Sequence, residues 1–121
     1  MSIQQYSKGI IIANIPSEPL MGNELNVLYS VIRDKGGCDV LIDFSEKKHI
    51  VTSPSISKLL KLHKLLIDEG HNLVLFNLHE STKGAFKYTG LDGHFTFADD
   101  RSHALKIIKE KGVTNKPISF V

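Results

Sequence analysis

The sequence predicts a single α/β domain: a mixed sheet of four to five strands, with a parallel centre and an antiparallel N-terminal edge hairpin, and about four helices. Three observations predict it. Two short apolar runs, Val40-Leu41-Ile42 within residues 39–44 and Leu73-Val74-Leu75-Phe76 within residues 72–78, have the length and composition of strands buried on both faces. Amphipathic stretches of helical length lie before, between and after them, several ended by glycine. This alternation of strand and helix implies parallel strands joined by right-handed crossovers.

The elements follow in order. Residues 3–6 and 10–15 are β-prone runs separated by Ser7-Lys8-Gly9, which predicts a hairpin, and Ile10-Ile11-Ile12 implies a strand covered on both sides. Ser17 followed by Glu18-Pro19 predicts a helix start with a cap, an early acid and a first-turn proline. Leu20, Met21, Leu25, Val27, Leu28, Val31 and Ile32 then form one broad apolar face, opposite Asn23, Asn26, Ser30, Arg33 and Asp34; Gly36-Gly37 ends the helix. After the strand at 39–44 come a polar connector, residues 45–48, and a short extended piece, His49-Ile50-Val51. A second helix runs over about residues 54–69 and stops at Gly70. Its face carries Ile56, Leu59, Leu60, Leu66 and Ile67 with His63 in the middle. Lys58, Lys61 and Lys64 lie opposite, and Leu65 among them is expected as an exposed apolar contact. A short helix bears Ala85, Phe86 and Tyr88 up to Gly90, and residues 95–97 make a last strand. Asp99-Asp100 caps a final helix with Ala104, Leu105, Ile107 and Ile108, ended by Gly112. The domain is thus expected over residues 1–112, with a C-terminal tail at 113–121.

The totals exclude several classes of function. At 121 residues, 41% hydrophobic and 23% charged, the chain has an ordinary globular composition with length for one core. A net charge of +2 with no basic stripe interleaved with aromatics argues against a nucleic-acid partner. Cys38 is the single cysteine, which precludes an internal disulfide and suits a reducing compartment. No apolar run reaches membrane-spanning length and the N-terminus lacks a signal-peptide pattern, so a cytoplasmic protein without membrane insertion is expected.

Catalytic chemistry finds no footing. The six histidines show no metal-ligand spacing with carboxylates or with the cysteine, and no glycine-rich dinucleotide or phosphate-loop motif is present; no metal and no cofactor are expected. Cys38 reads as a small buried filler, since no base can be placed beside it. Asp43 and His49, near strand ends, are the only acid–base candidates. A carboxylate there more often caps a turn or meets solvent, so no catalytic residue is assigned.

Helix starts leave backbone N–H groups unpaired, and a cluster of hydroxyls beside them makes a tolerant place for a phosphate. Thr52-Ser53-Pro54-Ser55-Ile56-Ser57 is such a cluster. In the order of residues 39–44, this turn, the helix to Glu69, Gly70, the strand at 73–78, and Thr89-Gly90-Leu91-Asp92 followed by Phe95, the chain resembles STAS domains, and within them the bacterial anti-sigma-factor antagonists. The resemblance spans residues 3–108 or so. It implies a non-catalytic interaction module that binds an anti-sigma factor/serine kinase of ATPase fold in a partner-switching pathway of transcription control. The alternative within the same fold is a scaffold subunit of a transport or signalling assembly that phosphorylation does not control. A weak homodimer is compatible with either.

The family's segment before the second helix reads Asp-Ser-Ser-Gly-Leu-Gly, with the second serine phosphorylated by the partner kinase. Aligned on Gly70, Thr52 takes the Asp position, Ser53 the first serine, Pro54 the acceptor, and Ser55 and Ser57 the glycines. Proline has no hydroxyl, so the acceptor is missing, although Pro54 suits a helix start with Ser53 as its cap. The resemblance then implies a partner-binding face of Thr52, Ser53, Pro54, Ser55, Ser57, Leu65, Thr89, Gly90 and Leu91. Regulatory phosphorylation, if retained, is expected on Ser55 or Ser53, with Ser55 preferred as an exposed side chain.

Overall fold

Strands form where the apolar runs are, and they stack in chain order. In the computed structural model, which describes residues 2–45 and 52–114, β1 (Ser2–Ser7), β2 (Ile10–Asn14), β3 (Asp39–Asp43), β4 (Leu73–Phe76) and β5 (Thr96–Ala98) form one sheet in the order β1-β2-β3-β4-β5. β1 pairs antiparallel with β2, with an irregularity between Gln5 and Ser7, and the remaining pairs are parallel. The helices are α1 (Met21–Lys35), α2 (Ser53–Asp68), α3 (Glu80–Tyr88) and α4 (Arg101–Thr114), with a 3-10 turn at Asp92–His94 before β5. This is the predicted α/β domain with its mixed five-stranded sheet.

Period-two alternation divides the strands between two cores. Ile11 and Ala13 of β2, Val40 and Ile42 of β3, and Leu73 and Leu75 of β4 pack with Met21, Leu25, Leu28 and Ile32 of α1, Ile56, Leu59, Leu62 and Leu66 of α2, and Phe86 of α3. On the other face Ile12, Leu41, Val74 and Phe76 meet Ala104 and Ile108 of α4. Burying an aliphatic side chain contributes about 1.5–3 kcal/mol, so the larger core on the α1–α2 side dominates the packing. β1 lies outside both, with all six residues exposed.

Two aspartates pin the ends of β3. The Asp39 carboxylate accepts the Asn72 backbone N–H at 2.8 Å, just before β4, and the Asp43 carboxylate accepts Ser45 N–H at 2.8 Å and the Asn77 side-chain amide at 3.1 Å, just after β4. Both are structural ties between neighbouring strands.

Several expectations are corrected. α1 begins at Met21, not at Ser17, because the Ser17 carbonyl accepts the Leu20 N–H in a turn and the first helical bond runs from Glu24 N–H to Leu20 O. Its buried stripe is narrower than the broad face: Leu20 and Val27 are more than half or half exposed, since only the 21-25-28-32 spacing points at the sheet. On α2 the buried stripe is turned toward α1, taking in Ser55 and Leu62 and leaving Ile67 exposed. The reason is a close helix approach at Gly22, where a β-carbon would lie 3.7 Å from Ser55 Oγ and 3.1 Å from Lys58 Nζ. Leu65 is therefore not an exposed contact; it packs partly buried against the core. α4 continues two residues past Gly112, a helix-interior glycine costing only about 1 kcal/mol. The connector and extended piece at residues 46–51, including His49, and residues 115–121 of the expected tail lie outside the described residues.

Candidate functional site

Neither α1 nor α2 carries a side-chain cap of its own. Each nevertheless opens with unpaired N–H groups that need acceptors. One residue serves both. Glu18, in the turn between β2 and α1, places Oε2 where Thr52 N–H (3.2 Å), Thr52 Oγ1–H (2.7 Å) and Ser55 Oγ–H (2.6 Å) all donate to it, and the Gly22 N–H of α1's first turn donates to the same carboxylate. Thr52 Oγ1 and Ser55 Oγ stand 3.4 Å apart. Burial pushes the Glu18 carboxyl up, but the donors from Ser55, Thr52 and Gly22 outweigh it and hold the group below the ordinary value of 4.5. A carboxylate at two helix starts also meets the positive end of both helix dipoles.

Around this clasp the hydroxyl turn sorts itself by exposure. Thr52 is the residue before α2, with extended backbone, and its carbonyl accepts the Ile56 N–H at 3.0 Å, so Thr52 and not Ser53 is the N-cap. Thr52, Ser53, Pro54 and Ser57 are exposed. Ser55 is 1% exposed, which overturns its expected place on the solvent side. Its hydroxyl turns inward because Glu18 supplies a charged acceptor and Gly22 supplies the room.

The face implied by the resemblance does not assemble as one patch. α2 starts at the C-terminal ends of the parallel strands and runs about 24 Å to their N-terminal ends. Leu65 lies in its far half, and α3 likewise leaves the C-terminal end of β4 and finishes toward the other edge. Thr89, Gly90 and Leu91 are there, consistent with the His63 and Phe95 rings meeting at 5.7 Å past the middle of α2. These three residues close α3: Leu91 N–H bonds Phe86 O at 3.1 Å, Gly90 N–H bonds Lys87 O at 3.0 Å with φ of +74°, and Thr89 Oγ1–H bonds Phe86 O at 2.8 Å. That is a Schellman ending, with Leu91 folded back half-buried on the core.

The residue missed in the sequence is Glu18, taken there as an early acid of α1. The signal available was chemical: hydroxyls at an N-terminus with no acid nearby in sequence leave an acceptor to be found elsewhere. The exposed neighbours Pro19 and Leu20 were likewise not singled out as contacts. The arrangement ties the turn before α1 to the start of α2 through one carboxylate. Asp43 is occupied by Ser45 and Asn77, and among the described residues no group of three or more His, Cys, Asp or Glu is placed to hold a metal. No helix of the described residues is long and apolar enough to cross a membrane.

No family sequence model matches the chain, and no curated protein matches it significantly in sequence. Solved structures do match. An anti-sigma-factor antagonist (STAS) domain protein of Planctomyces limnophilus superposes with a TM-score of 0.74 at 15% identity, covering 89% of this chain and 97% of that one. A variant of Moorella thermoacetica RsbS gives 0.75 at 17%, covering 93% and 97%. A chain of the stressosome, described as a signal integration and transduction hub, gives 0.71 at 19%, covering 95% and 100%. With strand order, hairpin edge and helix placement shared over almost the whole length, this chain has the STAS fold.

Proposed function

We propose that the chain is a non-catalytic regulatory module that binds a signalling protein through the start of α2. The observation that carries this is the exposed Thr52, Ser53, Pro54 and Ser57 arrayed around a clasped, negatively charged turn, on a fold shared with anti-sigma-factor antagonists. The partner class that fits is an anti-sigma factor/serine kinase of ATPase fold in a partner-switching pathway regulating transcription. The contact face comprises residues 52–54 and Ser57, with Pro19 and Leu20 beside them. Leu65 and Thr89-Gly90-Leu91 belong to the opposite edge and act in the core and at the end of α3.

A second reading is favoured by a specific observation. The acceptor position holds Pro54 and Ser55 is buried, so the turn carries fewer modifiable groups than its hydroxyl content implies. A scaffold subunit of a signalling or transport assembly, outside phosphorylation control, suits that turn, and one structural neighbour is a stressosome chain. Of the two serines expected as regulatory acceptors, Ser53 is the exposed one.

Titration of the purified chain with a purified ATPase-fold anti-sigma kinase tests the first reading. Binding should weaken about tenfold on Pro54→Lys or Ser57→Glu, and change less than twofold on Tyr88→Glu, an exposed position on α3. Saturable binding untouched by the α2 variants, or no binding alongside co-purification with oligomeric assembly subunits, would favour the scaffold.

A further inference from the structure

The helix layer on the α1–α2 side stops short of β1. Gly22 lets α1 close on α2, and Tyr29, on the same side of α1, has the Lys61 ammonium 4.6 Å from its ring centre. Met21, Leu25, Leu28 and Ile32 point at the sheet, so Val27 and Val31 fall on the remaining flank, away from α2 and on the side of β1. Val27 is half exposed there. Ile3 pairs with Ala13 of the α1–α2 core and so lies on that same face of the sheet, yet it and the rest of β1 stay exposed. Among the described residues no strand pairs with the outer edge of β1. Edge strands are commonly guarded by charge or proline, and Ser2-Ile3-Gln4-Gln5-Tyr6-Ser7 carries neither. Its one guard, the irregularity between Gln5 and Ser7, sits at the turn end, where the Gln5 side-chain amide donates to Ser7 O. Ser2 to Gln5 stay in register with residues 14 to 11. The opposite edge, β5, has only three residues, one of them buried.

We propose that β1 is a dimerisation edge: a second copy of this chain lays its own β1 antiparallel alongside, about a two-fold axis, and joins two five-stranded sheets into one. The charge pattern selects a second copy. A two-fold contact sets a strand against itself, where any charge would meet its like, and a strand of Ser, Ile, Gln and Tyr meets that condition. Strands of this length supply about five backbone hydrogen bonds, half of the roughly ten in a standard interface. Ile3 and Val27 of each copy add apolar surface on the helix side of the junction. The α2 start lies beyond α1 from this edge, so the dimer leaves it uncovered in both copies and turns the two starts toward opposite ends of the joined sheet.

The test is sedimentation velocity of the purified full chain from low micromolar to near-millimolar concentration, with hydrogen exchange of a peptide covering residues 2–8 read at both extremes. A monomer–dimer equilibrium is expected, and exchange in that peptide should slow about threefold at the concentrated end. Ile3→Lys and Gln4→Lys put charge on the two faces of the strand and should each weaken the dimer about tenfold or more. Tyr88→Lys, exposed on α3, should change it less than twofold. Circular dichroism at the dilute end checks that each variant is folded, and should Ile3→Lys fail to fold, Gln4→Lys decides. A monomer whose β1 peptide exchanges freely at both extremes leaves the edge to a strand of another protein. A monomer whose β1 peptide is protected at both leaves it to a segment of this same chain. A dimer indifferent to both β1 variants is joined elsewhere. Each of these three results overturns the proposal. None of them bears on the α2 start as a contact turn.

Discussion

The two ends of α2 are closed by different means. Its C-terminus is finished locally: His71 N–H bonds Leu66 O at 2.8 Å, Gly70 N–H bonds Ile67 O at 2.9 Å, and Gly70 takes φ of +79°, where a glycine avoids the β-carbon clash. Its N-terminus is finished from elsewhere, by a carboxylate 34 residues before Thr52 and 37 before Ser55. A local cap stabilises a helix and nothing more. A cap borrowed from another element ties two segments together, and a change at one is felt at the other. The exposed hydroxyls cluster at the borrowed end.

The sharpest way to break this contrast is to put charge inside the clasp. Ser55→Asp sets a second carboxylate at a buried position against Glu18 and should cost about 3 kcal/mol or more, read as a lowered urea midpoint, while Ser57→Asp, one residue pair away and exposed, should stay within about 0.5 kcal/mol. Removing the acceptor comes next. Glu18→Ala leaves the caps of two helices empty and a buried hydroxyl without its partner, an expected loss of about 2 kcal/mol. Gly70→Ala at the local end should cost about 1 kcal/mol from backbone conformation alone, since no atom lies within 4 Å of the added methyl.

Acid separates the ends further. Glu18 is held below 4.5 in the folded chain, so its stabilisation is complete above that value and is lost as pH falls from there through the lower folded value. The stability gap between wild type and Glu18→Gln should therefore shrink below about pH 4.5, whereas the gap for Gly70→Ala should not move with pH. The smallest effect is expected at Pro54→Ala, within about 0.5 kcal/mol, because Pro54 is exposed in a first turn that needs no N–H from it.

The same contrast explains what was legible in the sequence. Gly70 and Gly90 mark helix ends, and Asp100 accepts His103 N–H at 2.9 Å while Asp99 N–H bonds His103 Nδ1 at 3.1 Å, so the start of α4 could be read too. Each of these uses partners within a few residues. The sheet was legible from the apolar runs, whose burial on both faces leaves little freedom of placement. Ser55 and Leu65 were misplaced because helical periodicity gives the spacing of a stripe and not its rotation, which here is set by α1 at Gly22. Glu18 was out of reach for a related reason: its acidity was visible, but its partners belong to another helix. The expected contact face splits because α2 and α3 are crossover helices: residues 52–57 open one at the C-terminal ends of the strands, and Leu65 and residues 89–91 lie toward the N-terminal ends.

A thermodynamic cycle of Glu18→Ala, Ser55→Ala and the double variant tests the clasp most directly. A coupling of about 1 kcal/mol or more is predicted, since the two side chains share one hydrogen bond at 2.6 Å. Additivity of the single effects within about 0.3 kcal/mol would contradict it.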